Sequence, residues 1–136
     1  PGQSQQRLAL LESAVLHAVA AYRCFLSEIA TDEHLLPNPA EQYHSAVSLA
    51  AAYSDYSPAA VRECANLESG SGWLSMLLQW GEAVARLGDE APAPVSPDLI
   101  SSSGRASPVP DCDALDHCLA ELERLIDRLR GDMLEY

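Results

Sequence analysis

The chain of 136 residues has no lysine, and all eight of its basic residues are arginines, set against twenty Asp and Glu for a formal net charge of −12. Without lysine there is no phosphate-binding P-loop, which needs an ammonium group to reach the phosphates. So few positive charges also make nucleic acid, or an anionic membrane held by electrostatics, poor partners. Five arginines are scattered (Arg7, Arg23, Arg62, Arg86, Arg105), and the cluster Arg124, Arg128 and Arg130 is interleaved with acids. Cysteine pairs of the CxxC kind are missing too. Cys24, Cys64, Cys112 and Cys118 stand at irregular spacing, which reads as reduced thiols in a cytoplasmic protein. No uninterrupted apolar run approaches the roughly 20 residues of a membrane span. The opening "PGQSQQRLALL" lacks the basic and apolar regions of a signal peptide. No stretch alternates apolar and polar residues as a strand would, and there is no internal repeat.

What is present is helical periodicity. Hydrophobic residues make up 48% of the chain, an ordinary globular share, and its length suits one domain. From Ser4 to Thr31 no proline or glycine intervenes, and Leu8, Leu11, Val15, Val19, Tyr22, Leu26 and Ile29 share one face. Asn38, Pro39 and Glu41 form a start signal that predicts a second helix from Pro39 to Ser54. Ser57 as cap and Pro58 at the first helical position predict a third, short helix to Glu68, broken by Gly70 and Gly72. A fourth is expected over 72–87, with Trp73, Leu77, Trp80, Val84 and Leu87 on one face and Gly88 as its stop. Leu74, Met76 and Leu78 widen its apolar surface so far that it reads as lying inside the bundle.

Residues 89–110 hold five prolines, five serines and one glycine and read as a long linker or loop. After it, Leu115, Leu119, Leu122, Ile126, Leu129 and Met133 form a seam spaced four, three, four, three, four, capped by Asp111 or Asp113. The expected fold is therefore all-α: a compact bundle of four to five helices with a long Pro/Ser-rich loop before the last helix. Residues 1–88 form the four-helix core and 111–136 an amphipathic helix that packs on the bundle or on a partner.

Few residues suggest chemistry. "SGSGWLSMLLQW" sets two glycines before an apolar run, yet it lacks the lysine of a P-loop and the strand and third glycine of a dinucleotide site. It reads as a helix break followed by a buried helix. "ESGSG" also misses the G-x-S-x-G spacing of a serine elbow. For metal, "EQYH" gives Glu41 and His44, and His34 and Glu33 lie near them in sequence. "DCDALDHC" gives Cys112, Asp113, His117 and Cys118. Neither set has recognised zinc spacing, and a di-iron bundle needs two Glu-x-x-His motifs with two further glutamates. No metal or cofactor is expected, and His34, Glu41 and His44 are the metal candidates that remain. If the bundle holds a polar pocket, His17, Tyr22, Arg23 and Trp80 are its expected lining.

"LESAVLHAVAAYRCFLSEIA" and "ANLESGSGWLSMLLQW" resemble a family of small uncharacterised helical proteins of pseudomonads and related gammaproteobacteria, catalogued as a domain of unknown function. The resemblance rests on E-S-A-x-x-H in the first helix and L-E-x-G-x-x-W-L-x-x-L-L-x-x-W over residues 67–80. It spans roughly residues 8–88, with a weaker echo in the last helix. It implies a bacterial cytoplasmic helical protein and a further tyrosine-rich helical segment before the first residue, but no activity. Lacking a complete catalytic set, the chain is expected not to be an enzyme. The expected role is protein–protein interaction, with a protein partner or as a homodimer, through the seam of the last helix. The alternative is a helical bundle that binds a metal or small molecule, and is even enzymatic.

Overall fold

The computed structural model describes residues 2–32, 44–53, 57–89 and 111–134. They form α1 (Gly2–Asp32), α2 (Ala46–Ala52), α3 (Ala59–Ser69), α4 (Trp73–Asp89) and α5 (Cys112–Leu134), with no strand among the described residues. The fold is all-α. The Pro/Ser-rich stretch expected as a linker lies almost wholly outside the described residues.

The core forms where the long helices meet. From α1 it takes Val15, Ala18, Val19, Tyr22, Phe25, Leu26, Ile29 and Ala30, at steps of three and four that keep one face inward. Leu8 and Leu11, expected on that face, are half-buried at its end. α1 and α5 run in the same direction, since Arg7 reaches Cys112 near their starts and Arg130 reaches Glu28 near their ends. Arg130 grips Glu28 with two bonds of 3.0 and 2.8 Å and lies 5.7 Å from the Phe25 ring centre. Arg128 reaches Glu63 at 2.6 Å, which ties α5 to α3.

α4 closes on α1 at Gly81, where an added Cβ would stand 2.8 Å from a Val19 methyl. That close approach sets the face of α4. Leu74, Leu77, Gly81 and Val84 are buried, while Trp73 and Trp80 are half-buried on the flanks. Indole rings at the point of closest approach would hold the two helices apart. The expected enclosure of α4 does not hold: Gln79, Glu82, Ala85 and Arg86 are exposed, so the helix is amphipathic. It also continues through Gly88 to Asp89.

α5 buries Leu115, Cys118, Leu122, Leu125 and Leu129. It shares three positions with the expected seam but turns Cys118 and Leu125 to the core, leaving Leu119, Ile126 and Met133 half-buried. Both rows alternate steps of three and four, because Cys118–Leu119 and Leu125–Ile126 are adjacent apolar pairs. Periodicity alone cannot choose between them. Asp111 caps α5, accepting from the Ala114 amide at 2.7 Å.

The two short helices start later than expected. Residues 33–43 lie outside the described residues, but Ser45 is extended (φ −149°, ψ 155°) and its hydroxyl accepts from the Ser48 amide at 3.1 Å. The helix that contains Ala46 therefore begins there and does not run on from Pro39. Pro58 is extended as well (ψ 150°) and stands just before α3, so Ser57 is not the residue that precedes the first turn.

Candidate functional site

The four residues expected to line a pocket do not converge. His17 and Arg23 are exposed on the outer side of α1, Tyr22 is fully buried, and Trp80 is half-buried on α4. Five residues separate His17 from Tyr22, which turns them about 140° apart around a helix of 3.6 residues per turn.

Tyr22 instead belongs to a joint between three helices. Its hydroxyl donates to Glu68 Oε2 at 2.5 Å, and the same oxygen accepts from the Ala46 amide at 2.6 Å. Glu68 Oε1 accepts from the Val47 amide at 3.3 Å. A carboxylate from the last turn of α3 thus caps the first turn of α2, where free amides and the helix dipole favour negative charge. Cys64, one turn before Glu68, is buried beside Tyr22. Burial pushes its thiol up to about 12 from 9.0, and burial followed by the neighbouring Cys64 and Glu68 holds the Tyr22 phenol well above its usual range. A thiol kept protonated is a poor nucleophile, so this cluster joins helices and has little reactivity. Sequence reading put Glu68 inside a motif but gave it no role. Only the fold brings it to residues 22 and 46 positions away.

The metal candidates are dispersed. His34 and Glu41 lie outside the described residues, and His44 is exposed just before α2. On α5, Asp113 and His117 are exposed, whereas Cys118 is buried with its thiol 3.7 Å from the Trp73 carbonyl oxygen. Among the described residues, no three His, Cys, Asp or Glu side chains are placed to hold a metal ion.

The break before α4 is a three-residue bend. Gly70 donates its amide to the Asn66 carbonyl at 3.1 Å and ends α3 with φ −80°. The Met76 amide then reaches the Gly72 carbonyl at 3.1 Å, closing the first turn of α4. A groove of about 660 Å³ beside that bend is lined by Leu67, Trp73, Leu125, Arg124 and Arg128, with Glu121 and Asp127. Both arginines are occupied, Arg124 by Glu121 and Arg128 by Glu63. The arginine cluster of α5 is therefore neutralised by pairing.

The outer face of α1 is the least ordinary surface. Between Arg7 and Glu28 its exposed residues are Ala9, Leu10, Ser13, Leu16, His17, Ala20, Ala21, Arg23 and Cys24, and only Arg23 is a charged group of the Asp, Glu, Lys and Arg kind. Leu10 is 71% and Leu16 44% exposed. By length and composition α1 is apolar enough to cross a membrane, a test that core helices and signal sequences also pass; it succeeds because Glu12 and Arg23 are too few to interrupt the apolar average. Beside this face, a shallow groove on α5 is lined by Leu119, Leu122 and Ile126 and closed by Arg130. Leu119, Ile126 and Met133 are thus the half-exposed part of the expected seam, while Leu115, Leu122 and Leu129 pack inside the bundle.

No curated protein and no solved structure matches the chain. A family of unknown function, DUF6586, matches residues 2–136. The match runs from the first turn of α1 to the last residue and takes in the Tyr22–Glu68 joint, the bend before α4 and the bare face of α1; the protein belongs to this family of unknown function.

Proposed function

We propose that the protein works by binding a protein, either a different chain or a second copy of itself, and not by transforming a substrate. One observation carries this reading: the outer face of α1 is apolar and nearly free of charge on a molecule whose net charge is −12. A helix that is apolar on both sides normally has both sides covered. The cluster of buried Tyr22 and Cys64 with half-buried Glu68 supports the same reading, since the Tyr22 hydroxyl and the Glu68 carboxylate are engaged in joining helices. The four unpaired cysteines favour a reducing, cytoplasmic setting. The motifs around Glu12–His17 and Leu67–Trp80 favour an origin in pseudomonads and related gammaproteobacteria. Pairing of Arg124, Arg128 and Arg130 with acids argues against nucleic acid as the partner.

The test is a photo-activated cross-linker placed at Leu10 or at Leu16 in the full chain inside bacterial cells, with Arg86 on the solvent side of α4 as control. Covalent adducts with protein are expected from the α1 positions and not from the control. Equal yields from all three positions would contradict the reading.

A further inference from the structure

We infer that the occupant of the outer α1 face is a second copy of this chain, paired antiparallel with the α1 of the first about a two-fold axis between His17 and Ala18. The inference rests on the interaction reading above and names its partner. Its basis is charge complementarity. Glu12 and Arg23 are the only Asp, Glu or Arg residues of α1 between Arg7 and Glu28, and among the described residues neither has an ion pair. They are eleven residues apart, three turns of helix, so they point the same way about 16 Å from each other. A two-fold axis perpendicular to the helix and midway between them sets each Glu12 opposite the Arg23 of the second copy, twice over. This is self-complementarity, as an isologous interface requires.

Alongside the two pairs, the strip that would meet its own copy is Leu10, Ser13, Leu16, His17, Ala20 and Cys24. Its steps of three and four let two helices interlock, and its small side chains let them approach closely. The charge that would make two molecules of −12 repel lies elsewhere, because no Asp, Glu, Lys or Arg occurs from Ser13 to Tyr22. The half-exposed Leu119 and Ile126 of α5, on the side where Arg130 reaches Glu28, extend the apolar surface next to this strip.

The test is the mass of the purified full chain by light scattering over a range of concentrations. A dimer is expected. Arg23→Glu should weaken it about ten-fold, since two attractive pairs become repulsive. The double exchange Glu12→Arg/Arg23→Glu should restore it, because it rebuilds both pairs with the signs reversed. Leu10→Glu, a separate disruption at the strip, should leave a folded monomer by circular dichroism. A monomer at all concentrations, a dimer indifferent to Arg23→Glu, or a double exchange no better than the single would each overturn the inference. So would a chain that stays monomeric and floats with phosphatidylcholine–phosphatidylglycerol vesicles. A purified monomer that still gives α1 adducts with another protein in cells would remove the second copy and leave the interaction reading in place.

Discussion

α1 and α5 lie side by side in the same direction and turn comparable rows of apolar side chains into one core, yet their outer surfaces have little in common. α5 exposes Asp116, Glu123, Arg124, Asp127, Arg128, Arg130 and Asp132, and three of these are held in ion pairs. α1 exposes leucine, alanine, serine, histidine and cysteine over the corresponding stretch, with Arg23 alone charged. The inner faces are explained by folding of one chain. The outer face of α5 is finished for water, and the outer face of α1 is suited to contact. A core helix needs only one apolar side, and among the described residues none covers the second apolar side of α1, which is the side the proposed contact would use.

The comparison can be pressed from several directions. Alkali should have the largest effect, and only on the inner side. Cys64 has a raised pKa in the fold, so its contribution to stability is complete below its ordinary value of 9.0 and is lost as the pH rises towards about 12. Tyr22, raised likewise, adds to the loss in the upper part of that window. Urea titrations at steps from pH 8 upward should show stability falling, and Cys64→Ala should flatten the fall. Next in size, Leu26→Ala at the inner face of α1 should cost about 3 kcal/mol in the same titrations, because Leu26 is fully buried. Glu68→Ala should cost about 2 kcal/mol, since it leaves the Tyr22 hydroxyl and the Ala46 and Val47 amides without their acceptor. The smallest expected change is at the outer face. Leu10→Ala is the same chemical deletion as Leu26→Ala on the same helix, but it should alter unfolding of the dilute chain by less than about 0.5 kcal/mol. A cost near that of Leu26→Ala would place the outer face inside the fold of the single chain.

How far the amino-acid pattern reaches can be judged from these same elements. The extent of α1, the all-helical class, the break at Gly70–Gly72 and the Asp111 cap follow from local chemistry, since each depends on residues within a few positions of one another. The inward row of α5 does not, because two rows that both alternate steps of three and four are told apart by what α1, α3 and α4 present to them. The same holds for α4, whose tryptophans outrank Gly81 in hydrophobicity yet give way to it at the closest approach to Val19. The Tyr22–Glu68 joint is the clearest case. An acid at a helix end reads as solvent-facing until the fold delivers a buried hydroxyl and two free amides to it. His17, Arg23 and the bare face of α1 were visible as residues, but their exposure depends on which half of an almost uniformly apolar helix the other four helices cover.

The most direct measurement is the alkylation rate of Cys24, which lies on the outer face of α1, followed as the protein is concentrated. Cys112, half-exposed at the start of α5, serves as the internal reference, and Cys64 and Cys118 are buried and silent. The account predicts that Cys24 becomes protected at high concentration while Cys112 keeps its rate, and that Arg23→Glu moves the onset of protection to about ten-fold higher concentration. A Cys24 rate that stays constant relative to Cys112 over the whole range would contradict it.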